Sequence, residues 1–335
     1  MNIGHINIKK EIMVIAEIGN NHEGSFEIAE KLIKLASSAG ADAVKFQTIE
    51  PSNLVSPNEK KRFEQLKKFE ISKENYIKLS KISKQEGLIF LSTPFSINAV
   101  NFLNPIVPAF KIASSDNNHI PLIERVADTN KPIILSTGMC SMKELEISVS
   151  KIKRIWKKNK INPGIVLLHC VSSYPTQPKF ANLKAIRTIS SLGELVGYSD
   201  HTVGIEAALV SVGLGARIIE KHFTLSKNFS DFRDHKISSE PKEFKELVLR
   251  VKEANKMLGH GEKKILEPEK PIAKQARRSI CAAHDLKSGK ILIYSDLTWL
   301  RPSGGIPPGF ENKIVGRRLK KNVTSGEQIR MENLD

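Results

Sequence analysis

The sequence predicts an α/β protein: a (β/α)8 barrel followed by a small β-rich domain. Three observations carry this. Short apolar runs that read as buried strands recur at 13–18, 43–47, 89–93, 109–114, 132–136, 164–169, 195–199 and 217–223. Amphipathic helical patterns lie between them, with Pro and Gly at the joints. After Ser279 the texture changes to short strands and Gly/Pro-rich loops. About eight strand–helix units over roughly 250 residues match the count and size of a barrel. Continuous rather than alternating apolar strands suit a parallel sheet covered on both faces. A doubly wound open sheet is the structural alternative.

The elements follow in order. Residues 26–39 place Ile28, Leu32, Leu35 and Ala36 on one helical face and stop at Gly40, a C-cap signal. Residues 73–86 stop at Gly87 in the same way, and 142–157, 203–215 and 241–258 repeat the alternation. The charged stretch 259–278 has no strong apolar period and reads as a linker. This divides the chain into a barrel (1–262), a linker (263–278) and a tail domain (279–335). The tail holds an internal repeat. Asp285-Leu286-x-Ser288-Gly289-x-x-Leu292 with Asp296-Leu297 recurs 37 residues later as Asn322-Val323-x-Ser325-Gly326-x-x-Ile329 with Asn333-Leu334. Two copies of one turn unit imply a pseudo-symmetric β domain.

Composition narrows the class. With 335 residues, 40% hydrophobic and 26% charged, the chain is long enough to fold around its own core. No apolar run reaches the ~20 residues of a membrane helix, and the N-terminal stretch lacks a signal-peptide pattern. Three cysteines, Cys140, Cys170 and Cys281, are an odd number without paired spacing, which points to a reducing, cytoplasmic setting. The net charge of +16 raises nucleic acid as a partner. The lysines are scattered, however, and aromatics are only 6%, too thin for base-stacking platforms. A basic field that attracts small anionic substrates is the preferred reading, with no nucleic acid and no membrane as partners.

A barrel of this kind carries its active site at the C-terminal ends of its strands. Those ends bear Glu17, Lys45 and Gln47, Thr93-Pro94-Phe95, Lys111, Ser114 and Asp116, Ser136-Thr137-Gly138-Met139, Ser199-Asp200-His201-Thr202, and Glu220-Lys221-His222. Lys45 and Lys111 supply charge for a phosphate, and Thr93, Ser114 and Ser136 supply short donors. The bland alternative for each lysine is a snorkelling stem, which is costly at a buried strand. His201 and His222, at the ends of adjacent predicted strands, are candidate ligands for a divalent metal; satisfied core histidines are the alternative. Glu17 is the candidate general acid/base, or else a carboxylate stabilising the Asn20/Asn21 turn.

In this order, these motifs carry a resemblance: Glu17-x-Gly-x-Asn-His-x-Gly, Val44-Lys45-Phe46-Gln47, Thr93-Pro94-Phe95, Phe110-Lys111-Ile112-x-Ser114, Ile134-Leu135-Ser136-Thr137-Gly138-Met139, His169-Cys170, Tyr174-Pro175-Thr176, Tyr198-Ser199-Asp200-His201-Thr202 and Glu220-Lys221-His222-Phe223. From about Ile12 onward the chain resembles the sialic acid synthase (N-acetylneuraminate synthase) family. Its tail, with Arg301-Pro302-x-Gly304, resembles that family's antifreeze-like (SAF) domain. The resemblance implies condensation of phosphoenolpyruvate with an open-chain N-acetylated amino sugar, N-acetylmannosamine first among them. C3 attacks the aldehyde, water adds to C2, and phosphate leaves by C–O cleavage to give a nine-carbon 2-keto acid. It implies Mn²⁺ or Mg²⁺ on His201 and His222. It further implies phosphoenolpyruvate on Lys45, Gln47, Thr93, Lys111, Ser114 and Ser136, and sugar contacts from Asn21, Phe95, Asp116, Tyr174, Ser199 and Asp234. A domain-swapped homodimer is implied too, with Arg301 closing the other chain's site.

Two departures stand out. Asp116 replaces a Glu common in bacterial members, and Phe232-Arg233-Asp234-His235 replaces a frequent Gly-Pro-Asp-His. Relatives acting on 2,4-diacetamido-2,4,6-trideoxyhexoses, which make legionaminic or pseudaminic acid, are the alternative within the family. Outside it stand a Schiff-base aldolase using Lys45 or Lys111 and a non-catalytic carbohydrate- or ice-binding protein. Intact Glu17, His201 and His222 argue against the last.

Overall fold

A computed structural model describes residues 1–335. The chain forms two units, Met1–Gly259 and His260–Asp335. In the first, eight parallel strands form a nearly closed barrel: Met13–Gly19, Ala43–Thr48, Ile89–Pro94, Phe110–Ile112, Ile133–Ser136, Ile165–Cys170, Leu195–Asp200 and Ile218–His222. The first strand pairs with the second and the eighth; the third and fourth lie side by side without a registered ladder. Every predicted strand is present, with ends within three residues of the expected ones.

The strands are buried on both faces, which is why they read as unbroken apolar runs. One layer, including Val14, Val44, Phe110, Ile133, Leu167 and Ile219, packs outward against the helices. The other fills the lumen with Met13, Ile15, Leu91, Ile134, Val166 and Ile218. A short hairpin, Asn2–Ile3 with Ile6–Asn7, adds Ile3, Ile6 and Ile8 to that lumen core. Its strands are two residues each, too short to show any period.

The five predicted helices form at Phe26–Ser38, Lys73–Gln85, Met142–Lys158, Glu206–Gly213 and Pro241–Met257. Ser25, Ser72 and Ser141 cap three of them through their hydroxyls, and Ser141 with Glu144 completes a capping box. Gly40 and Gly87 adopt the left-handed backbone expected just past a helix end, at φ +82° and +77°. Shorter crossover helices at Ile97–Leu103, Ile120–Ala127 and Ala185–Ser190 were not anticipated. Two further helices, Pro51–Leu54 and Lys60–Phe69, fill the connection after the second strand. Only Leu66 of the latter is buried, with Phe63 and Phe69 half-buried on either side of it, so its apolar stripe is narrow. Gly24, at φ +86°, lets it approach: a Cβ there would lie 2.1 Å from the Lys68 carbonyl oxygen. No helix is long and apolar enough to cross a membrane.

In the second unit, the stretch expected to be a featureless linker carries an exposed helix, Glu269–Ala276, none of whose residues is buried. Beyond it the sequence repeat becomes a pseudo-two-fold. Leu286 and Val323 bond each other's backbones, Leu286 N to Val323 O at 2.8 Å and Val323 N to Leu286 O at 2.9 Å. Asn322 Oδ1 accepts from Ser288 N and Asp285 Oδ1 from Ser325 N, each at 2.8 Å. Each repeat's first polar residue thus caps the other's turn. Ile280, Leu286, Leu292, Val323 and Ile329 form the core between them.

Candidate active site

Sheet register decides which side chains meet at the barrel mouth. Glu17 sits opposite Lys45 on the second strand and opposite His222 on the eighth. Gln47 sits opposite Thr93, and Glu220 opposite Ser199. These residues line one cavity of about 500 Å³ at the C-terminal ends of the strands. A second hollow, of about 590 Å³, adjoins the opposite ends of the sixth and seventh strands; its Lys9, Lys153, Lys157 and Glu194 are not buried. Buried, interacting titratable groups make the first the candidate site.

Its floor is a charge cluster excluded from water. Lys45 Nζ lies 2.7 Å from Glu17 Oε2 and 3.8 Å from Glu220 Oε2, and donates to Thr93 Oγ1 at 3.1 Å. Lys111 Nζ is held loosely, 3.6 Å from Glu220 Oε1 and 3.4 Å from the Ile112 carbonyl oxygen. Gln47 Nε2 donates to Glu17 Oε1, and Ser199 Oγ to Glu220 Oε1, both at 2.9 Å.

Environment drives the like groups apart. Burial pushes the Glu17 carboxyl above its usual range, with Lys45 pulling against it. Burial acts the same way on Glu220, but Lys111 and Lys45 outweigh it and hold that carboxyl low. Burial opposes the Lys45 ammonium, yet Glu17 and Glu220 carry its pKa above the usual value. For Lys111 burial wins over Glu220, aided by the Lys45 charge, and the pKa falls. Of the two, Glu17 is the carboxyl whose surroundings favour the protonated form.

Beside the cluster stand the two histidines, ring centroids 5.5 Å apart. His201 Nδ1 lies 2.8 Å from the Val171 carbonyl oxygen, which leaves Nε2 for a ligand. Burial opposes its charge, but the neighbouring Cys170 sulfur, 3.6 Å away, raises its pKa. His222 Nδ1 is buried without a hydrogen-bond partner, and burial, followed by the His201 charge, holds that ring neutral. Tyr174 packs its ring 4.3 Å from His201, and Arg233 lies 4.9 Å over the outer part of the same stack.

Ser114 accepts from Gly138 N at 3.1 Å, whereas Ser136 and Ser172 present buried hydroxyls without partners. A Cβ on Gly138 would lie 2.5 Å from Ser172 Oγ and 2.7 Å from Ser114 Oγ. Gly138→Ala therefore displaces both hydroxyls, and the backbone there needs no left-handed conformation. We expect it to weaken binding of an anionic substrate about tenfold, the worth of roughly one charged hydrogen bond. Titrating that ligand against the variant, with thermal unfolding as control, checks it; unchanged affinity removes the hydroxyls from the site.

Of the residues expected at the site, Glu17, Lys45, Gln47, Thr93, Phe95, Lys111, Ser114, Ser136, Tyr174, Ser199, His201, His222 and Asp234 line this cavity. Three do not. Asn21 donates its amide to the Phe223 carbonyl and Ser238 Oγ, each at 2.9 Å, and holds the loop instead. Its neighbour Asn20 takes the lining position, donating to Gln47 Oε1 at 3.0 Å. Asp116 turns away, accepting from Ser115 Oγ at 2.9 Å with His119 at 3.7 Å. Arg301, expected at another chain's site, belongs to the second unit.

Other lining residues were given no role from the sequence or were not found in it. Glu220, named at a strand end but given no role, stands two positions before His222 on one strand, so period-two alternation puts both on one face. Cys170 and Ser172 flank the end of the sixth strand. Arg62 comes from the unanticipated helix Lys60–Phe69, and Arg233 from the departing Phe232-Arg233-Asp234 segment. Phe69 and Phe232, 4.8 Å apart, join those two segments across the mouth.

The NeuB family profile matches residues 32–263 and the SAF domain profile residues 277–335. An N,N'-diacetyllegionaminic acid synthase of Legionella pneumophila is 38% identical over 96% of this chain and 94% of its own. Human N-acetylneuraminate-9-phosphate synthase is 32% identical over 96% and 92%. A solved N-acetylneuraminic acid (sialic acid) synthetase from Leptospira borgpetersenii is 39% identical, covering 81% of this chain and 94% of that one, with a TM-score of 0.75. Barrel, ordered motifs and tail thus agree with one another, and the chain belongs to the NeuB family, with a SAF domain at its C-terminal end.

Proposed function

We propose that this protein is a nonulosonate synthase. It condenses phosphoenolpyruvate with an N-acetylated amino sugar, N-acetylmannosamine first, releasing phosphate and a nine-carbon 2-keto acid. The observation that carries the reading is the anion cradle. Two buried ammonium groups, one of them loosely held, face the unpartnered hydroxyls of Ser136 and Ser172 across one cavity. An unpaired buried ammonium is costly, and a bound phosphate or carboxylate relieves it. The relatives named for neuraminate and legionaminate synthesis support the same reading.

The bond changes balance without a redox partner. Phosphoenolpyruvate C3 joins the sugar aldehyde carbon as its C2=C3 π bond opens and the aldehyde oxygen takes a proton; water adds at C2 and gives up a proton; the C2–O bond to phosphate then breaks as the C2 hydroxyl loses its proton and becomes the ketone. Lys45, Lys111, Ser114, Ser136 and Thr93 hold the phosphoenolpyruvate anion. Glu17, beside Lys45 and His222 in the sheet, is placed to hold the proton of the adding water. Tyr174, Asp234, Phe95 and Ser199 shape the sugar's side of the cavity. The orphaned His222 Nδ1 and the open His201 Nε2 fit a divalent cation, Mn²⁺ or Mg²⁺, with its other positions left to water and substrate. Such an ion supplies Lewis-acid polarisation of the aldehyde.

The 38% identity to diacetyllegionaminate synthases favours a second sugar class, the 2,4-diacetamido-2,4,6-trideoxyhexoses. The test is phosphate release and product mass with phosphoenolpyruvate, Mn²⁺ and each sugar in parallel, with and without EDTA. Sugar-dependent, EDTA-sensitive release supports the reading, and the active sugar names the product. Borohydride trapping of pyruvate on Lys45 or Lys111 would instead support an imine-forming aldolase. The family resemblance further supports a homodimer, which light scattering checks. Lys111→Ala is expected to weaken phosphoenolpyruvate binding by about 1.5–3 kcal/mol, the range for a charged hydrogen bond. An unchanged Michaelis constant removes Lys111 from the cradle.

A further inference from the structure

Between the two histidine-bearing strand ends lies an ion pair with no outlet to the cavity. Lys221 and Asp200 face each other in the ladder of the seventh and eighth strands and are 1% and 0% exposed. Lys221 Nζ donates to Asp200 Oδ2 at 2.9 Å and to the Thr202 carbonyl oxygen at 2.5 Å. Asp200 Oδ1 accepts from Thr202 N at 2.8 Å and from Thr202 Oγ1 at 2.7 Å. Four bonds therefore converge on the two residues flanking His201, and one of the two groups making them is the chain neighbour of His222. Side chains alternate along a strand, so a lysine beside His222 points away from the mouth. It cannot touch substrate, yet it ties the backbone of one histidine's strand to that of the other.

Stability alone gives no reason to keep this pair. Well-packed apolar replacements of a buried ion pair are often neutral or stabilising. What the pair adds is direction, because a bridged carboxylate and ammonium have one geometry whereas apolar contacts tolerate several. The rest of the His201 setting is built in the same way. Thr176 N donates to the His201 carbonyl oxygen at 2.9 Å, and the ring is fixed by Val171.

We propose that Asp200 and Lys221 are positioning residues: their buried ion pair sets the separation and orientation of the His201 and His222 rings. The inference rests on the proposed use of those rings as cation ligands, but its test does not depend on that use.

The experiment compares Lys221→Met, Asp200→Asn and an Asp200→Leu/Lys221→Met double variant with the wild-type chain. The double variant leaves no lone buried charge, so it is the one expected to fold if a single replacement does not. Ring ¹H–¹⁵N resonances of the histidines, recorded metal-free, report their geometry directly. Mn²⁺ affinity is measured calorimetrically on the same samples. The expected result is a double variant that unfolds cooperatively near the wild-type temperature, with shifted His201 and His222 resonances and Mn²⁺ affinity at least tenfold weaker. Wild-type ring resonances with Mn²⁺ affinity within twofold would overturn the proposal and leave the pair a structural one. If the wild-type chain itself fails to bind Mn²⁺, the cation reading falls, and the metal-free resonances still decide the positioning claim.

Discussion

Replacing His222 with alanine is expected to lower turnover at least a hundredfold. The ring is buried and neutral, and its Nδ1 has no partner in the protein. A neutral imidazole is the state that binds a cation. An orphaned buried nitrogen is also costly to maintain for packing alone. A Lewis acid contributes several kcal/mol where charge develops on a carbonyl oxygen. Each ~1.4 kcal/mol is tenfold in rate, so half-dismantling a two-histidine site is expected to cost about two decades or more. Steady-state rates across a Mn²⁺ series check this, with His222→Gln as a variant that keeps most of the volume. A near-wild-type, metal-dependent rate in either would sink the metal assignment.

The sequence made the barrel legible for a physical reason. Strands buried on both faces cannot alternate, so each appears as one apolar run, and all eight were visible. The run 109–114 overshoots its strand, Phe110–Ile112, because Ser114–Asp116 turns tightly into the loop. The crossover helices Ile97–Leu103 and Ala185–Ser190 make two turns or fewer and bury only three and two residues, too few to show a period, whereas Ile120–Ala127 buries Leu122, Ile123, Val126 and Ala127 at helical spacing that the sequence did carry. Helix Lys60–Phe69 did not stand out because its apolar face is a single line of Phe63, Leu66 and Phe69 among charged and polar residues.

The site follows the same division. Glu17, Lys45, Thr93, Lys111, Ser136 and His222 stand on or at the end of strands, where alternation fixes the facing side, and all line the cavity. Asn21 and Asp116 lie just beyond strand ends, in loops where alternation has lapsed. There a one-residue change exchanges lining for anchoring, as Asn20 and Asn21 demonstrate. Arg62 and Arg233 sit on segments whose path no strand periodicity dictates. Motif resemblance reached Asp234 but not the arginine beside it, since that residue is where the chain departs from the pattern.

Glu17→Gln should be the other severe lesion, with kcat falling by two to four orders of magnitude, the usual worth of a positioned general acid/base. The change is isosteric and removes only the ability to exchange a proton and the charge facing Lys45. These two losses act on different parameters. The proton role belongs to turnover. Lys45 keeps Glu220 at 3.8 Å and Thr93 at 3.1 Å, so the ammonium remains held and the Michaelis constant for phosphoenolpyruvate should move much less. Glu17→Asp separates the two further, since it retains the negative charge for Lys45 but draws the carboxyl away from the reacting atoms. If charge pairing were the whole function of Glu17, the aspartate would restore turnover and the glutamine would chiefly damage phosphoenolpyruvate binding. If Glu17 moves the proton, both variants lose kcat and the glutamine loses more. A glutamine variant within tenfold of wild-type kcat would leave Glu17 as a partner for Lys45 alone. Glu220, whose carboxyl is held low between two lysines, would then be the next residue to test.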